Sequence, residues 1–136
     1  MSKLKRKKFE YIIDEKIKEI VKKVIAKDQY KRYDLDYIDV DKMFFVHEKG
    51  SRRKRYYKDV FAFIQKIKEP YRTLTGKIYL LIVTDRFYEL DDNLKELVIL
   101  HELLHVHSDF DGKLVPHDVE DFKEIIDDYG IDWLVD

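Results

Sequence analysis

Two histidines and a glutamate lie close together in the segment His101-Glu102-Leu103-Leu104-His105. Histidines four positions apart lie on one side of a helix, with about 5–6 Å between their Cβ atoms, so both can bind one metal ion. The intervening glutamate lies beside them, where it can take a proton from a water molecule that the metal activates. If this segment is helical, its spacing predicts a zinc site for hydrolysis, with Glu102 as general base.

The alternative interpretation is a buried helix whose histidines only make hydrogen bonds. Metal binding is favoured because three histidines, at 101, 105 and 107, fall within seven residues on a strongly apolar segment. Burying two imidazoles and a carboxylate costs several kcal/mol unless they are paired or bind a metal. His107 lies about 200° around the helix from His105, so it is expected to point away from the metal.

A catalytic zinc ion needs a third protein ligand and an open position for water. His117 is favoured for this role, and the alternatives are Asp111, Glu120 and Glu124. Asp111 has the spacing of the third ligand in a longer zinc motif, but Ser108 replaces the glycine that lets that chain turn back.

Supporting groups around the metal are harder to predict. Asp121 follows His117 by four residues and could orient its imidazole, although a solvated carboxylate is an equal alternative. Tyr79 and Tyr88 are candidate donors to the developing oxyanion only because they precede the motif, and packing is the plainer role for both.

Hydrophobic spacing predicts the elements before the motif. Apolar residues at helical spacing predict a helix over about 7–27, and a short apolar run predicts a strand over 43–47. After a turn at 50–51, residues 52–63 could return as a second strand. The continuous apolar run 77–83 predicts a strand buried on both faces, which argues for an inner strand rather than a peptide-binding edge.

The motif itself is predicted on a helix from Asn93 to about His107, with Asp91 or Asp92 as its N-cap. Apolar residues on both sides of this helix predict that it is buried. After a loop, Pro116 is expected to open a last helix.

These elements predict one α+β domain over residues 1–136. Its sheet is expected to be small and mixed or antiparallel, with an N-terminal helix, the buried motif helix and a C-terminal helix. Residues 1–8 are expected to form a flexible basic tail.

Composition narrows the class of protein. The chain has 136 residues, 45% of them hydrophobic, which suits one folded domain. It has no cysteine, so a metal must be held by His, Asp or Glu. No apolar run reaches the ~18–20 residues that span a membrane, and the compartment expected by default is the cytoplasm. The charged fraction of 40%, with few Asn and Gln, is typical of hyperthermophiles.

Basic runs at residues 3–8 and 52–55 raise the question of nucleic-acid binding. The net charge of −1 gives no overall attraction to nucleic acid, and a short basic run is more often a solvated strand or turn. Nucleic acid is therefore a partner that the sequence does not favour, and the oligomeric state is unknown.

The motif and the segment after it, Phe110-Asp111-Gly112-Lys113-Leu114-Val115-Pro116-His117-Asp118-Val119-Glu120-Asp121-Phe122, resemble the putative phage and archaeal metallopeptidase family. The resemblance covers residues 97–133 and is looser over 50–96. It implies a zincin-like fold similar to that of SprT-like proteins, one zinc ion, and a peptide or protein substrate. It also implies that His117 is the third ligand, although Phe122 stands one residue from its place in the tighter SprT-like spacing. A catalytically inactive zinc-binding module and a nucleic-acid-associated protease are the alternatives.

Overall fold

A computed structural model of the chain describes residues 9–55 and 58–115. The elements of this part are β1 (Glu10–Ile13), α1 (Glu15–Ala26), β2 (Met43–Lys49), β3 (Lys54–Arg55), β4 (Lys58–Asp59), β5 (Ala62–Lys66), α2 (Tyr71–Thr75), β6 (Tyr79–Thr84), α3 (Asp85–Tyr88) and α4 (Asp92–Leu103). Short 3-10 helices cover Asp28–Tyr33 and Val40–Lys42. The protein is thus a mixed α+β structure, as predicted. The predicted basic tail and C-terminal helix lie outside the described residues.

The main sheet has the strand order β1-β2-β6-β5. Strands β2 and β6 are parallel, with Phe45 opposite Leu81, whereas β1 and β5 are antiparallel to their neighbours. The side chains of Leu81 and Val83 in β6 are fully buried. The prediction that residues 77–83 form an inner strand is therefore confirmed, and β5 rather than β6 is the outer strand on that side of the described sheet.

The N-terminal element differs from the predicted continuous helix. The Asp14 side chain accepts a hydrogen bond of 3.0 Å from the backbone N–H of Lys16 and so caps α1, which begins only at Glu15. Residues 10–13 pair with β2 instead, and Tyr11 and Ile13 remain 60% and 66% exposed. The helix prediction is wrong there because the edge of β2 supplies these backbone groups with hydrogen-bond partners.

The predicted second strand over 52–63 is also wrong in its extent and its pairing. This stretch contains the small hairpin of β3 and β4 and the start of β5. Strand β2 already has β1 and β6 as neighbours, so β5 pairs with β6 instead. The turn after β2 therefore leads into a separate hairpin, and the short helix α2 lies between β5 and β6.

One apolar core joins the helices to the sheet. It contains Ile17, Val21 and Val24 of α1, Met43 and Phe45 of β2, Tyr79, Leu81 and Val83 of β6, and Ile99, Leu100 and Leu103 of α4. Every residue of α4 from Glu96 to Leu103 is buried, which confirms the predicted burial of the motif helix. Such a helix is a rigid support for a site. No described helix is long and apolar enough to cross a membrane.

Candidate metal centre

Helix α4 is fixed at its start and in its middle. The Asp91 carboxylate accepts a hydrogen bond of 2.9 Å from the backbone N–H of Leu94, so Asp91 is the N-cap of the two candidates. One turn later, Glu96 is 3% exposed and lies 2.7 Å from the ammonium of Lys27 and 3.1 Å from that of Lys23. These contacts tie α4 to α1 beneath the motif.

The electrostatics of Glu96 show how this buried carboxylate is tolerated. Burial is the largest single influence and raises the pKa of the Glu96 carboxyl, but the hydrogen bonds and the positive charges of Lys27 and Lys23 together outweigh it, and the net pKa lies below its usual value. The Tyr30 hydroxyl adds a hydrogen bond of 3.3 Å. Glu96 is therefore ionised at neutral pH and acts as a clamp between the two helices.

Helix α4 ends earlier than predicted, at Leu103 rather than near His107. The next N–H, that of Leu104, still bonds to the carbonyl of Leu100 at 3.1 Å, but the N–H of His105 bonds to Glu102 at 3.1 Å in a tighter turn. The chain therefore keeps a helical turn as far as His105. The rings of His101 and His105 therefore lie side by side in an edge-to-face contact, with centroids 5.0 Å apart and planes at 89°.

The three predicted functional side chains form one buried group. One ligand atom from each of His101, Glu102 and His105 lies within 4.8 Å of the others, and the residues are 3%, 4% and 9% exposed. It is the one group of three or more His, Asp or Glu with this geometry within residues 9–55 and 58–115. Two imidazoles suit a divalent zinc ion, and the carboxylate lies beside them where a general base is needed, so these side chains fit the metal that the spacing predicts.

The orientation of His105 is set by a backbone group that sequence reasoning missed. The Nδ1 nitrogen of His105 lies 2.6 Å from the carbonyl oxygen of Val115. Because a carbonyl only accepts, Nδ1 carries the proton and the lone pair of Nε2 is left for a metal. No residue type marks this contact, since any residue at position 115 has the same carbonyl.

The loop after the motif is closed onto it by backbone bonds. The N–H of Val115 bonds to the carbonyl of His105 at 2.6 Å, and the N–H of His107 bonds to that of Lys113 at 3.2 Å. The chain reverses at Phe110 and Gly112, where φ is +51° and +96°. The reversal is made by these residues and not at Ser108, where the longer zinc motif carries its glycine.

Tyr79 of β6 holds this loop by two hydrogen bonds. Its buried hydroxyl donates to the carbonyl of Lys113 at 2.7 Å and accepts from the N–H of Gly112 at 3.0 Å. The Tyr88 hydroxyl is bonded to the Asp14 carboxylate at the start of α1. Both tyrosines considered as oxyanion donors therefore have structural partners. Burial is the main cause that raises the pKa of each phenol.

The candidate third ligands fall into two sets. Asp111 is described and is not part of the His-Glu-His group. Its carboxylate accepts the N–H of Lys113 at 3.1 Å, and this hydrogen bond is the main reason why its pKa is lowered. The others, His117, Glu120 and Glu124, lie outside the described residues, as does Asp121. His107 accepts the N–H of Asp109 at 3.1 Å and also lies outside the group, as predicted.

A cleft opens over the group from the side of the sheet edge. It is lined by Arg55 of β3, by Phe63, Ile64 and Gln65 of β5, by Glu102 and His105, and by Leu114 of the loop. Two members of the basic run beside it are engaged in ion pairs. Arg52 binds Glu89 at 2.6 Å, and Arg53 binds Glu48 at 2.7 Å.

Comparison with known proteins identifies the family of the chain. The model of the family described as putative phage metallopeptidase matches residues 9–135, which include both strands that flank β6 and the whole motif. No curated protein and no solved structure matches the chain. Because the match extends over nearly all of the sequence, the chain belongs to the putative phage metallopeptidase family.

Proposed function

We propose that the protein is a zinc-dependent peptidase in which His101 and His105 bind one zinc ion and Glu102 is the general base. The observation that carries the proposal is the buried group of three donor atoms within 4.8 Å at the floor of a cleft. When bound there, zinc would supply a Lewis acid that polarises the scissile carbonyl and lowers the pKa of water to about 7.

The role of Glu102 follows from its position. Its Oε2 lies 3.6 Å from Nε2 of His101, and its side chain is 6% exposed on the wall of the cleft. A carboxylate there can accept the proton of the attacking water and then donate it to the leaving amine. Its neighbours hold it in place, because the residues of α4 around it are packed in the core.

His117 is proposed as the third ligand. Val115 is joined to His105 by two hydrogen bonds of 2.6 Å, so the chain passes directly beside the second ligand. Residue 117 follows two positions later, and two residues span at most about 7 Å. This reach supports His117, with Asp121 as a group that would orient it. Asp111, Glu120 and Glu124 are the alternatives.

The substrate is proposed to be a peptide or protein segment in extended form. Strand β5 borders the cleft through Phe63 and Gln65 and is the outer described strand on this side of the sheet. An outer strand can bind an extended peptide by strand addition, which would place a peptide bond over Glu102. Strand β6, considered for this role from the sequence, is an inner strand.

A zincin-like fold, a single domain over the whole chain and a cytoplasmic location belong to the same proposal. The fold and the single domain are supported by the family assignment and by the mixed sheet that packs on a buried motif helix, whereas the location is proposed from the sequence alone. Nucleic-acid binding through residues 52–55 is less favoured, because the ion pairs of Arg52 and Arg53 occupy two of the four cations. DNA affinity that is unchanged by added salt would discard it.

Elemental analysis tests the metal site. We expect one zinc per chain in the wild type and loss of zinc in His101→Ala, whereas His107→Ala should retain it because that histidine lies outside the group. His117→Ala should lose affinity for zinc more than Asp111→Ala, Glu120→Ala or Glu124→Ala. Wild-type protein without zinc after purification at neutral pH would contradict the proposal.

A further inference from the structure

One apolar side chain in the cleft is exposed to solvent. Leu114 is 42% exposed and lines the cleft together with Glu102 and His105. A single exposed leucine needs no explanation elsewhere on a protein surface. Beside a proposed general base and a proposed metal ligand, however, it is a candidate contact for substrate, because binding sites combine apolar walls with a few polar groups. The other large exposed apolar side chains of the described residues do not line this cleft: Tyr11, Ile12, Ile13, Tyr71 and Leu74.

The backbone of Leu114 is held in place next to the metal group. Leu114 forms an isolated β-bridge with Val106, which directly follows the motif. The next residue, Val115, donates its N–H to the carbonyl of His105 at 2.6 Å. Leu114 is thus one peptide bond away from the residue that orients His105. Little backbone ordering is therefore needed when a substrate contacts Leu114, which favours binding.

The outer edge of β5 brings backbone groups to the same cleft. The N–H of Thr84 bonds to the carbonyl of Phe61 at 3.0 Å, and the N–H of Ile67 bonds to that of Ile78 at 2.8 Å. Residue pairs in an antiparallel ladder alternate between hydrogen-bonded and non-hydrogen-bonded positions. In the register of β5 with β6, Ile64 falls at a non-hydrogen-bonded position. Its N–H and C=O therefore point away from β6, toward the edge of the described sheet.

A peptide added at this edge would pass Leu114. Ile64 lines the cleft with Glu102 and Leu114. The side chains of an added strand alternate between the two faces of the sheet. Leu114 follows Lys113, which is bonded to the hydroxyl of Tyr79 on the face that α4 covers. One set of alternate substrate side chains therefore points to the side of the sheet on which Leu114 lies.

We propose that the cleft selects extended peptides with an apolar side chain next to the scissile bond, and that this side chain packs on Leu114. The inference rests on the proposed peptidase function and deepens it. Removal of apolar surface from water is favourable and grows with the area buried, so Leu at this substrate position is preferred to Ala. A carboxylate in the same place would lose hydration against an apolar surface, so Asp is disfavoured.

Cleavage of a mixed peptide library by the zinc-loaded protein, read by mass spectrometry, tests the proposal. The best substrate is then remade with Leu, Ala or Asp at each of the two positions on either side of the bond. We expect one position at which Leu exceeds Ala by at least about tenfold in kcat/KM, the effect of a few methylenes in an apolar site. Leu114→Ala should reduce this ratio several-fold, whereas Leu114→Met should keep it because the side chain stays apolar and of similar volume.

Leu74→Ala is the matched control. Leu74 is 76% exposed on α2 and does not line the cleft, so its truncation should leave the ratio unchanged. Binding of the same peptides to zinc-loaded Glu102→Gln, measured by fluorescence anisotropy, reads the preference without turnover. The Leu peptide should bind more tightly than the Ala peptide, and the difference should shrink when Leu114→Ala is added.

The two measurements separate failure of this inference from failure of the peptidase function. Equal cleavage of the Leu, Ala and Asp peptides, or a Leu preference that is unchanged in Leu114→Ala, would remove the role of Leu114 and leave the peptidase intact. A library that remains uncut by the zinc-loaded wild type would contradict the peptidase function. In that case, tighter binding of the Leu peptide that depends on Leu114 would retain the apolar contact, and equal binding would overturn it as well.

Discussion

The Nδ1 nitrogen of His105 donates a hydrogen bond of 2.6 Å to the carbonyl oxygen of Val115. This contact links a candidate metal ligand to the far end of the loop that follows the motif. It sets both the tautomer and the direction of the imidazole, so the loop is part of the metal site even without supplying a donor atom. The conformation of residues 109–115 should therefore control zinc affinity.

Substitution of Gly112 tests this coupling. Gly112 has φ +96°, and a Cβ there would lie 2.9 Å from Nη1 of Arg72, which itself bonds to the Asp111 carbonyl. Gly112→Ala should cost about 1–3 kcal/mol through backbone strain and raise the dissociation constant for zinc several-fold, measured by competition with a chromophoric chelator.

Gly76→Ala is the control for this substitution. Gly76 has a similar φ of +72° at the end of α2, but a Cβ there has no atom within 4 Å. It should lower the melting temperature without changing zinc affinity. If both variants bind zinc as tightly as the wild type, the loop does not position His105.

Tyr79→Phe separates a structural role from a catalytic one. The substitution removes the hydroxyl that bonds to Gly112 and Lys113, so we expect a loss of about 1–3 kcal/mol in stability and weaker zinc binding. Once zinc is saturating, kcat should return to the wild-type value. A kcat that stays low at full zinc occupancy would show instead that the phenol takes part in the reaction.

The clamp between α1 and α4 predicts a specific dependence of stability on pH. Glu96 has a pKa below the unfolded value of about 4.3, so its ionised form stabilises the fold fully above that value. The contribution is lost as the pH falls through the lower folded pKa. Glu48, also lowered, acts in the same direction.

Glu96→Gln should therefore lower the free energy of unfolding by about 1–3 kcal/mol at pH 7 and flatten its fall between about pH 5 and 3, measured by urea unfolding. Glu89→Gln is the matched control, because Glu89 forms an exposed ion pair with Arg52 and should have no measurable effect. An unchanged acid limb in Glu96→Gln would mean that the clamp does not contribute.

The elements predicted correctly from sequence are those whose signal is local. The apolar run of β6 required burial on both faces, and the carboxylate of Asp91 could cap α4 from its position alone. The grouping of His101 with His105 followed from helical spacing, which the tight turn after Leu103 preserves.

The errors concern contacts between distant segments. The strand at residues 10–13 depends on an open edge of β2, and the pairing of β5 with β6 depends on which edges are already occupied. The Glu96 clamp and the Val115 carbonyl depend on how separate segments come together. Side-chain periodicity carries no information about contacts between distant segments. It also cannot reveal the Val115 contact, since a backbone carbonyl is the same at every residue.

Peptide cleavage by Glu102→Gln, with its zinc content measured in the same preparation, tests the central claim most directly. An amide of the same size keeps the shape of the site but cannot accept a proton, so the variant should bind one zinc per chain and lose cleavage by at least about 100-fold. Wild-type protein prepared in parallel should cut the same peptides. Cleavage retained by zinc-loaded Glu102→Gln would contradict the account.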